Sequence, residues 1–220
     1  MALVLIILEV NVIVYSALKV ILIVIPLLCF SDQLKAAQVK LLVLGDSLSA
    51  AYGMKQEQGW VSLLQNSWQD KGIAVVNAAI SGETTDGGLA RLPRLLEQHQ
   101  PSHLLIELGG NDGLRGYPVD KFKNNISAMI ELARQNGVSV LLQQMQIPTN
   151  YGRRYTKMFT DSYNELADNH QVPLLPFLLQ DIALKPELMQ KDRIHPNAEA
   201  QPLIAEFMRK QLEPILLASQ

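Results

Sequence analysis

Beyond residue 38 the chain alternates between two kinds of hydrophobic pattern. Val39–Leu44 (VKLLVL) is a nearly unbroken apolar run that stops at Gly45, as a parallel strand buried on both faces would. Ile73–Val76, His103–Leu108, Val138–Leu142 and the shorter Val172–Leu175 repeat that pattern and predict four more strands. Between them, apolar residues recur at helical spacing. Trp60–Asp70 places Trp60, Leu63, Leu64 and Trp68 on one side. Leu89–Gln98, Phe122–Asn136, Phe159–His170 and Ala198–Leu212 follow as further helices, and Gly137 suits the end of one of them. Strands separated by helices of this length build βαβ units. The expected fold is therefore a three-layer α/β/α domain over residues 38–220, with a five-stranded parallel sheet.

The first 30 residues are different. They are apolar apart from Glu9, Asn11 and Lys19, and the longest uncharged stretch, Val20–Ser31, is short of the roughly 20 residues a membrane span needs. A longer span over Val10–Phe30 would bury Lys19 near its centre, at about 2.5–3.5 kcal/mol. A secretory signal accommodates the same residues better. Lys19 is then the basic n-region, Val20–Phe30 the apolar h-region, and Ala36-Ala37 the small-residue cleavage site. Residues 1–37 are expected to be a signal peptide, or otherwise a membrane anchor, giving a periplasmic or secreted domain over the rest of the chain.

Composition narrows the function. Apolar residues make up 48% of the chain, charged residues 18%, and the net charge is −2, with no basic block for nucleic acid. Cys29 is the single cysteine, which excludes a disulfide framework and a thiolate metal site. The four histidines form no HExxH pattern, and Pro101 separates His99 from His103. Neither a metal nor a cofactor is expected.

The chemistry collects where ligands bind in such sheets, beyond the carboxyl ends of the strands. Gly45-Asp46-Ser47 follows the first strand, Ser81-Gly82 the second and Gly109-Gly110-Asn111-Asp112 the third, while Asp192–Pro196 (DRIHP) precedes the last helix. Ser47 is a candidate nucleophile, or else the N-cap of a following helix. His195 is a candidate general base that can take the serine proton, and Asp192, three residues earlier, can fix its tautomer. Singly, these two read more readily as a helix cap and a surface histidine. The N–H of Gly82, the amide of Asn111 and the Ser47 N–H are candidate donors to an oxyanion. It is the convergence of all these groups on one sheet edge that favours catalysis.

With those blocks in view, the chain resembles the SGNH, or GDSL, hydrolase family. Ser47 lies in GDSLS, Gly82 in ISGET, Asn111 in GGND and His195 in DRIHPN. The stretches LARLPRLLEQHQP, LGGNDGLRG, NYGRRY and PLLPF resemble its multifunctional thioesterase I, protease I, lysophospholipase L1 and arylesterase branch. The resemblance implies a flavodoxin-like fold. It also implies acyl-enzyme hydrolysis of thioesters, lysophospholipids and simple aryl or alkyl esters, with Ser47, His195 and Asp192 as the triad. Ala51 stands where the family often has glycine, which puts the local backbone shape in question.

The resemblance further implies that the loop Gly113–Pro118, including Leu114, moves to cover an acyl chain. Met145, Ile147 and Pro148, after the fourth strand, are candidates to line that groove or else to pack the core. Arg115, Arg153 and Arg154 are candidate phosphate contacts, although exposed arginines are more often solvated surface. The expected partner is a small acyl ester or thioester taken by a monomer, with contact to membrane lipid open. A carbohydrate O-acetyl esterase is the competing enzyme, and a catalytically dead flavodoxin-like binding module the competing non-enzyme.

Overall fold

The computed structural model describes residues 39–218. The signal or anchor expected over residues 1–37 lies outside them. Five parallel strands form one sheet in the order β2-β1-β3-β4-β5. They are β1 (Val39–Gly45), β2 (Ile73–Asn77), β3 (His103–Glu107), β4 (Ser139–Gln143) and β5 (Leu174–Leu175). The helices are α1 (Trp60–Ser67), α2 (Thr85–His99), the single turn α3 (Gly110–Leu114), α4 (Val119–Gln135), α5 (Arg153–His170) and α6 (Gln201–Leu217). Helices α1 and α6 pack together as one layer, and α2, α4 and α5 form the other. Among the described residues, no helix is long and apolar enough to cross a membrane.

The five predicted strands are present, and the helices differ mainly at their ends. Helix α2 begins at Thr85 rather than Leu89 because a distant side chain caps it. The Asp112 carboxylate accepts the Thr85 N–H at 2.9 Å and the Thr85 hydroxyl at 2.6 Å. The added turn contains Gly87-Gly88, which weakens any local helix signal. Gly88 is needed for packing, since a Cβ there would lie 2.3 Å from Leu108 Cδ1. Helix α5 starts at Arg153, one and a half turns before the first buried residue, Phe159, that marked it in the sequence.

Burial explains why the sheet forms. The β1 residues Leu41–Leu44 and the β3 residues Leu104–Ile106 are fully buried. Trp60 and Trp68 fill the α1/α6 layer, each with its indole N–H satisfied, by Leu48 O at 3.1 Å and Glu213 Oε2 at 3.2 Å. Phe122, Phe159 and Tyr163 fill the opposite layer, with ring centroids 5.0–5.8 Å apart.

The strand order matters for function. From β1 the chain crosses to β2 on one side, then returns to place β3 on the other. A crevice opens at that reversal, between the carboxyl ends of β1 and β3. Register aligns Gly45 with Glu107 there, so the residues after each strand face one another across it.

Candidate active site

Ser47 sits two residues beyond β1, half-buried, in a run of turns. No helix starts there, so the capping alternative fails. The cap-like bond belongs to Asp46, whose Oδ1 accepts the Leu48 N–H at 3.0 Å. Gly45 has an ordinary extended conformation, and its missing side chain serves space rather than turning. A Cβ there would lie 2.5 Å from Glu107 Oε2 and 3.0 Å from Ser49 Cβ.

His195 approaches from a loop that belongs to no strand or helix. Its Nε2 lies 2.8 Å from Ser47 Oγ, and its Nδ1 lies 2.7 Å from Asp192 Oδ2. The loop is tied at several points. Asp192 Oδ1 accepts the N–H groups of Ile194 and His195, each at 3.0 Å. The Gln190 N–H donates to His195 O at 2.8 Å, and the Gln190 side-chain amide donates to Tyr52 O and Pro196 O. The cap near α6 is Asn197, whose Oδ1 accepts from Glu199 and Ala200, so Asp192 is free to serve the imidazole. The Tyr52 ring covers one side of the His195 ring at 4.3 Å between centroids. Partial burial alone would raise the Asp192 carboxyl. Hydrogen bonds from the His195 N–H, its imidazole and the Ile194 N–H bring it down to about 2.

The donor groups lie along the same rim. Among the described residues, neither the Ser47 N–H nor the Gly82 N–H makes a hydrogen bond. Gly82 adopts φ +78°, which an L side chain would strain. Arg115 Nη2 donates to Gly82 O at 3.0 Å, joining the second-strand loop to the third. Asn111, in α3, donates one amide hydrogen to Asp46 Oδ2 at 3.1 Å, which leaves the other available.

The proposed acyl contacts divide. Met145 and Ile147 are 1% and 5% exposed and pack beneath α3, close to Gly110 and Gly113, so the core-packing alternative describes them. Gly113 is buried and Leu114 half-buried against the core, while Pro148 is exposed. The Gly113–Pro118 loop is held rather than loose. Besides the Arg115 bond, Tyr151 Oη donates to Leu114 O at 2.8 Å and Tyr155 Oη to Tyr117 O at 2.9 Å. Arg153 and Arg154 line a separate surface groove of about 540 Å³ with Tyr151, Tyr155 and Met158.

Three residues at the site had no role in the sequence-level reading. Tyr52 gave no signal at all. Asp46 was visible only as the middle letter of a tripeptide. Glu107 did carry one, as a single charge inside the otherwise apolar strand HLLIE, and it is fully buried. Among the described residues, no cluster of His, Cys, Asp or Glu has the arrangement to hold a metal ion.

Comparison with known proteins agrees with this geometry. Residues 43–202 match the model of the GDSL-like lipase/acylhydrolase family. The chain belongs to that family. It is 50% identical over 186 residues to an arylesterase of Vibrio mimicus, covering 84% of this chain and 92% of the relative. It is also 50% identical over 181 residues to thioesterase 1/protease 1/lysophospholipase L1 of Escherichia coli K12, covering 82% and 86%. Among solved structures, the psychrotrophic esterase EstA of Pseudoalteromonas sp. superposes with a TM-score of 0.79 at 47% identity, covering 80% of this chain and 98% of that one. This GDSL hydrolase is therefore a carboxylic ester hydrolase of the esterase/thioesterase class.

Proposed function

We propose that this GDSL hydrolase cleaves fatty-acyl thioesters, lysophospholipids and simple aryl or alkyl esters through an acyl-enzyme on Ser47. The observation that carries the mechanism is the Asp192–His195–Ser47 chain, with links of 2.7 and 2.8 Å. Asp192 accepts the Nδ1–H of His195, so the Nε2 lone pair faces the Ser47 hydroxyl. As Ser47 Oγ bonds to the acyl carbon, its proton passes to Nε2. Negative charge gathers on the former carbonyl oxygen, where the N–H groups of Ser47 and Gly82 and the free amide hydrogen of Asn111 receive it. The imidazolium then protonates the departing alkoxide or thiolate as its bond to carbon breaks. Water, deprotonated by His195, attacks the acyl-enzyme, and the C–Oγ bond breaks to release the acid as the imidazolium returns its proton to Ser47 Oγ.

The relatives' names support the substrate classes, and so does the rim. Tyr52, Ile80 and Ile194 are each more than 40% exposed and adjoin His195, the β1 end and Asp192 respectively. Large apolar side chains left in water around a reactive serine suit a fatty acyl chain. We further propose that residues 1–37 direct export and are removed, which fits a mature chain without cysteine.

The test is a chain-length series of p-nitrophenyl esters and acyl-CoA thioesters on the mature protein. The expected result is turnover that improves as the acyl chain lengthens from acetyl. Activity confined to acetyl esters would instead favour a carbohydrate O-acetyl esterase. The relative EstA has been crystallised inhibited by monoethylphosphonate, and the same reagent should label Ser47 here. Mass spectrometry of the exported protein should begin it near residue 38, and a retained leader would indicate an anchor.

A further inference from the structure

Beneath the reactive serine lie two acids that the proposed reaction does not use. Glu107, the last residue of β3, is fully buried, and Asp46, next to Ser47, is 3% exposed. Glu107 Oε2 accepts the Ser49 hydroxyl at 2.6 Å and the Asp46 N–H at 3.2 Å. Its Oε1 is buried, and no N–H or O–H donor reaches it. The Asp46 and Glu107 carboxyls lie close enough to act on each other directly. Asp46 Oδ2 also accepts from Asn111 Nδ2, and Oδ1 from the Leu48 N–H.

Among the described residues, no lysine or arginine enters this cluster. The titratable groups that face it are His195 from its loop and Tyr163 from α5, which Asp112 from α3 also faces. Two carboxylates touching in a dry interior repel each other and lack the solvation that would hold both charges. The pair must share a proton, and the contacts say where it sits. Asp46 already has two donors on its two oxygens, so it suits the carboxylate. Glu107 has an undonated oxygen, so it suits the acid. Burial and the Asp46 charge both push Glu107 in that direction.

We infer that Glu107 is a positioning residue for the oxyanion hole: as a neutral acid it donates to Asp46, and Asp46 so held fixes the amide of Asn111 in the orientation that aims its free hydrogen at the oxyanion. The steric demand at Gly45 belongs to the same device, because any side chain there would strike the Glu107 carboxyl. The inference rests on the proposed role of Asn111 as an oxyanion donor. A donor that acts on the charge of the transition state, and is held by a preset partner, governs kcat more than KM.

The experiment combines a spectroscopic and a kinetic arm. The folded wild type at neutral pH should show the infrared carbonyl band of a protonated carboxylic acid, and Glu107→Gln should lack it. Glutamine can still donate to Asp46 through its amide, so Glu107→Gln should keep kcat within about fivefold. Glu107→Leu cannot donate and should lower kcat about 10- to 100-fold with little change in KM. In an Asn111→Ala background, Glu107→Leu should have almost no further effect. Absence of the band, or full kcat in a folded Glu107→Leu protein beside an impaired Asn111→Ala, would overturn this inference alone. Full kcat in Asn111→Ala would overturn the oxyanion reading and this inference with it. If Glu107→Leu fails to fold, the band and its loss in Glu107→Gln decide the matter.

Discussion

Asp46 and Asp192 each stand beside one member of the reacting pair, Asp46 next to Ser47 in the chain and Asp192 bonded to His195. The fold treats them oppositely. Asp46 is buried at the sheet switch point, and burial pushes its carboxyl up to about 6, against hydrogen bonds from Leu48, Glu107 and Asn111 and the charge of His195. Asp192 lies on an exposed loop, where donors outweigh the small cost of burial and bring it to about 2. The same side chain thus becomes a strained internal acceptor in one place and a permanent anion in the other. The environment assigns the role, through solvation and through how many donors the backbone aims at the carboxylate. In the proposed mechanism the exposed loop carries the proton-transfer step, and the buried crevice carries the oxyanion.

That contrast can be broken at several points. The largest effect is expected from Ser47→Ala, which should cost about 10⁴-fold or more in kcat and abolish phosphonate labelling. Wild-type turnover in that variant would remove the mechanism altogether. Asp192→Asn should follow, with kcat down about 10³- to 10⁴-fold because the imidazole loses its tautomer partner. Its melting temperature should fall only slightly, since asparagine can still accept the Ile194 and His195 N–H groups and the lost charge is solvent-screened. A large loss of stability would show that the loop is structural and that the two regions are less distinct than described.

Asn111→Ala should cost about 10²-fold in kcat, with KM nearly unchanged. A smaller and different effect is expected from Asp46→Asn on stability. The folded Asp46 binds its proton near 6, above its unfolded value of 3.8. Its contribution is therefore full below the unfolded value and lost as pH rises through the folded one. The melting temperature of the wild type should gain on that of Asp46→Asn as pH falls from about 7.5 to about 4.5. Asp192 has the opposite sign. Its contribution is present above 3.8 and lost only as pH falls towards 2, so it stays silent in that window. A difference that grows with rising pH would reverse the assignment.

The smallest effect concerns Ala51. It sits at φ +56°, in the left-handed region that favours glycine, and this is the position where the family often has glycine. Ala51→Gly should stabilise the protein by up to about 1 kcal/mol, read as a rise of a few degrees in melting temperature. Because Ala51 precedes Tyr52, whose ring covers His195, the same variant also tests how firmly that ring is held.

Much of this molecule was legible without coordinates. The strands were readable because both faces of a parallel sheet are buried, which leaves continuous apolar runs such as VKLLVL and HLLIEL. Ser47, Asp192, His195, Gly82 and Asn111 were readable because their separate blocks fall at one sheet edge and match a known family. The helix starts were less legible. Thr85 is capped by Asp112 from another loop, and Gly88 is set by contact with Leu108, neither of which is a local property. Two of the acyl-groove candidates, Met145 and Ile147, pack in the core, which was illegible for a related reason. Apolar residues such as Met145 and Ile147 look alike whether they line a groove or fill the core.

The sequence by itself determined the sheet, the family and the choice of groups proposed to react, because period, turn chemistry and motif spacing are written residue by residue. Only the tertiary structure decided which carboxylates are charged. Protonation depends on burial and on partners brought from far along the chain, such as Glu107 beneath Asp46 and the Ile194 and His195 amides around Asp192. One spacing rule can place an aspartate beside a histidine, but a carboxyl pair sharing a proton exists only once β1 and β3 are side by side.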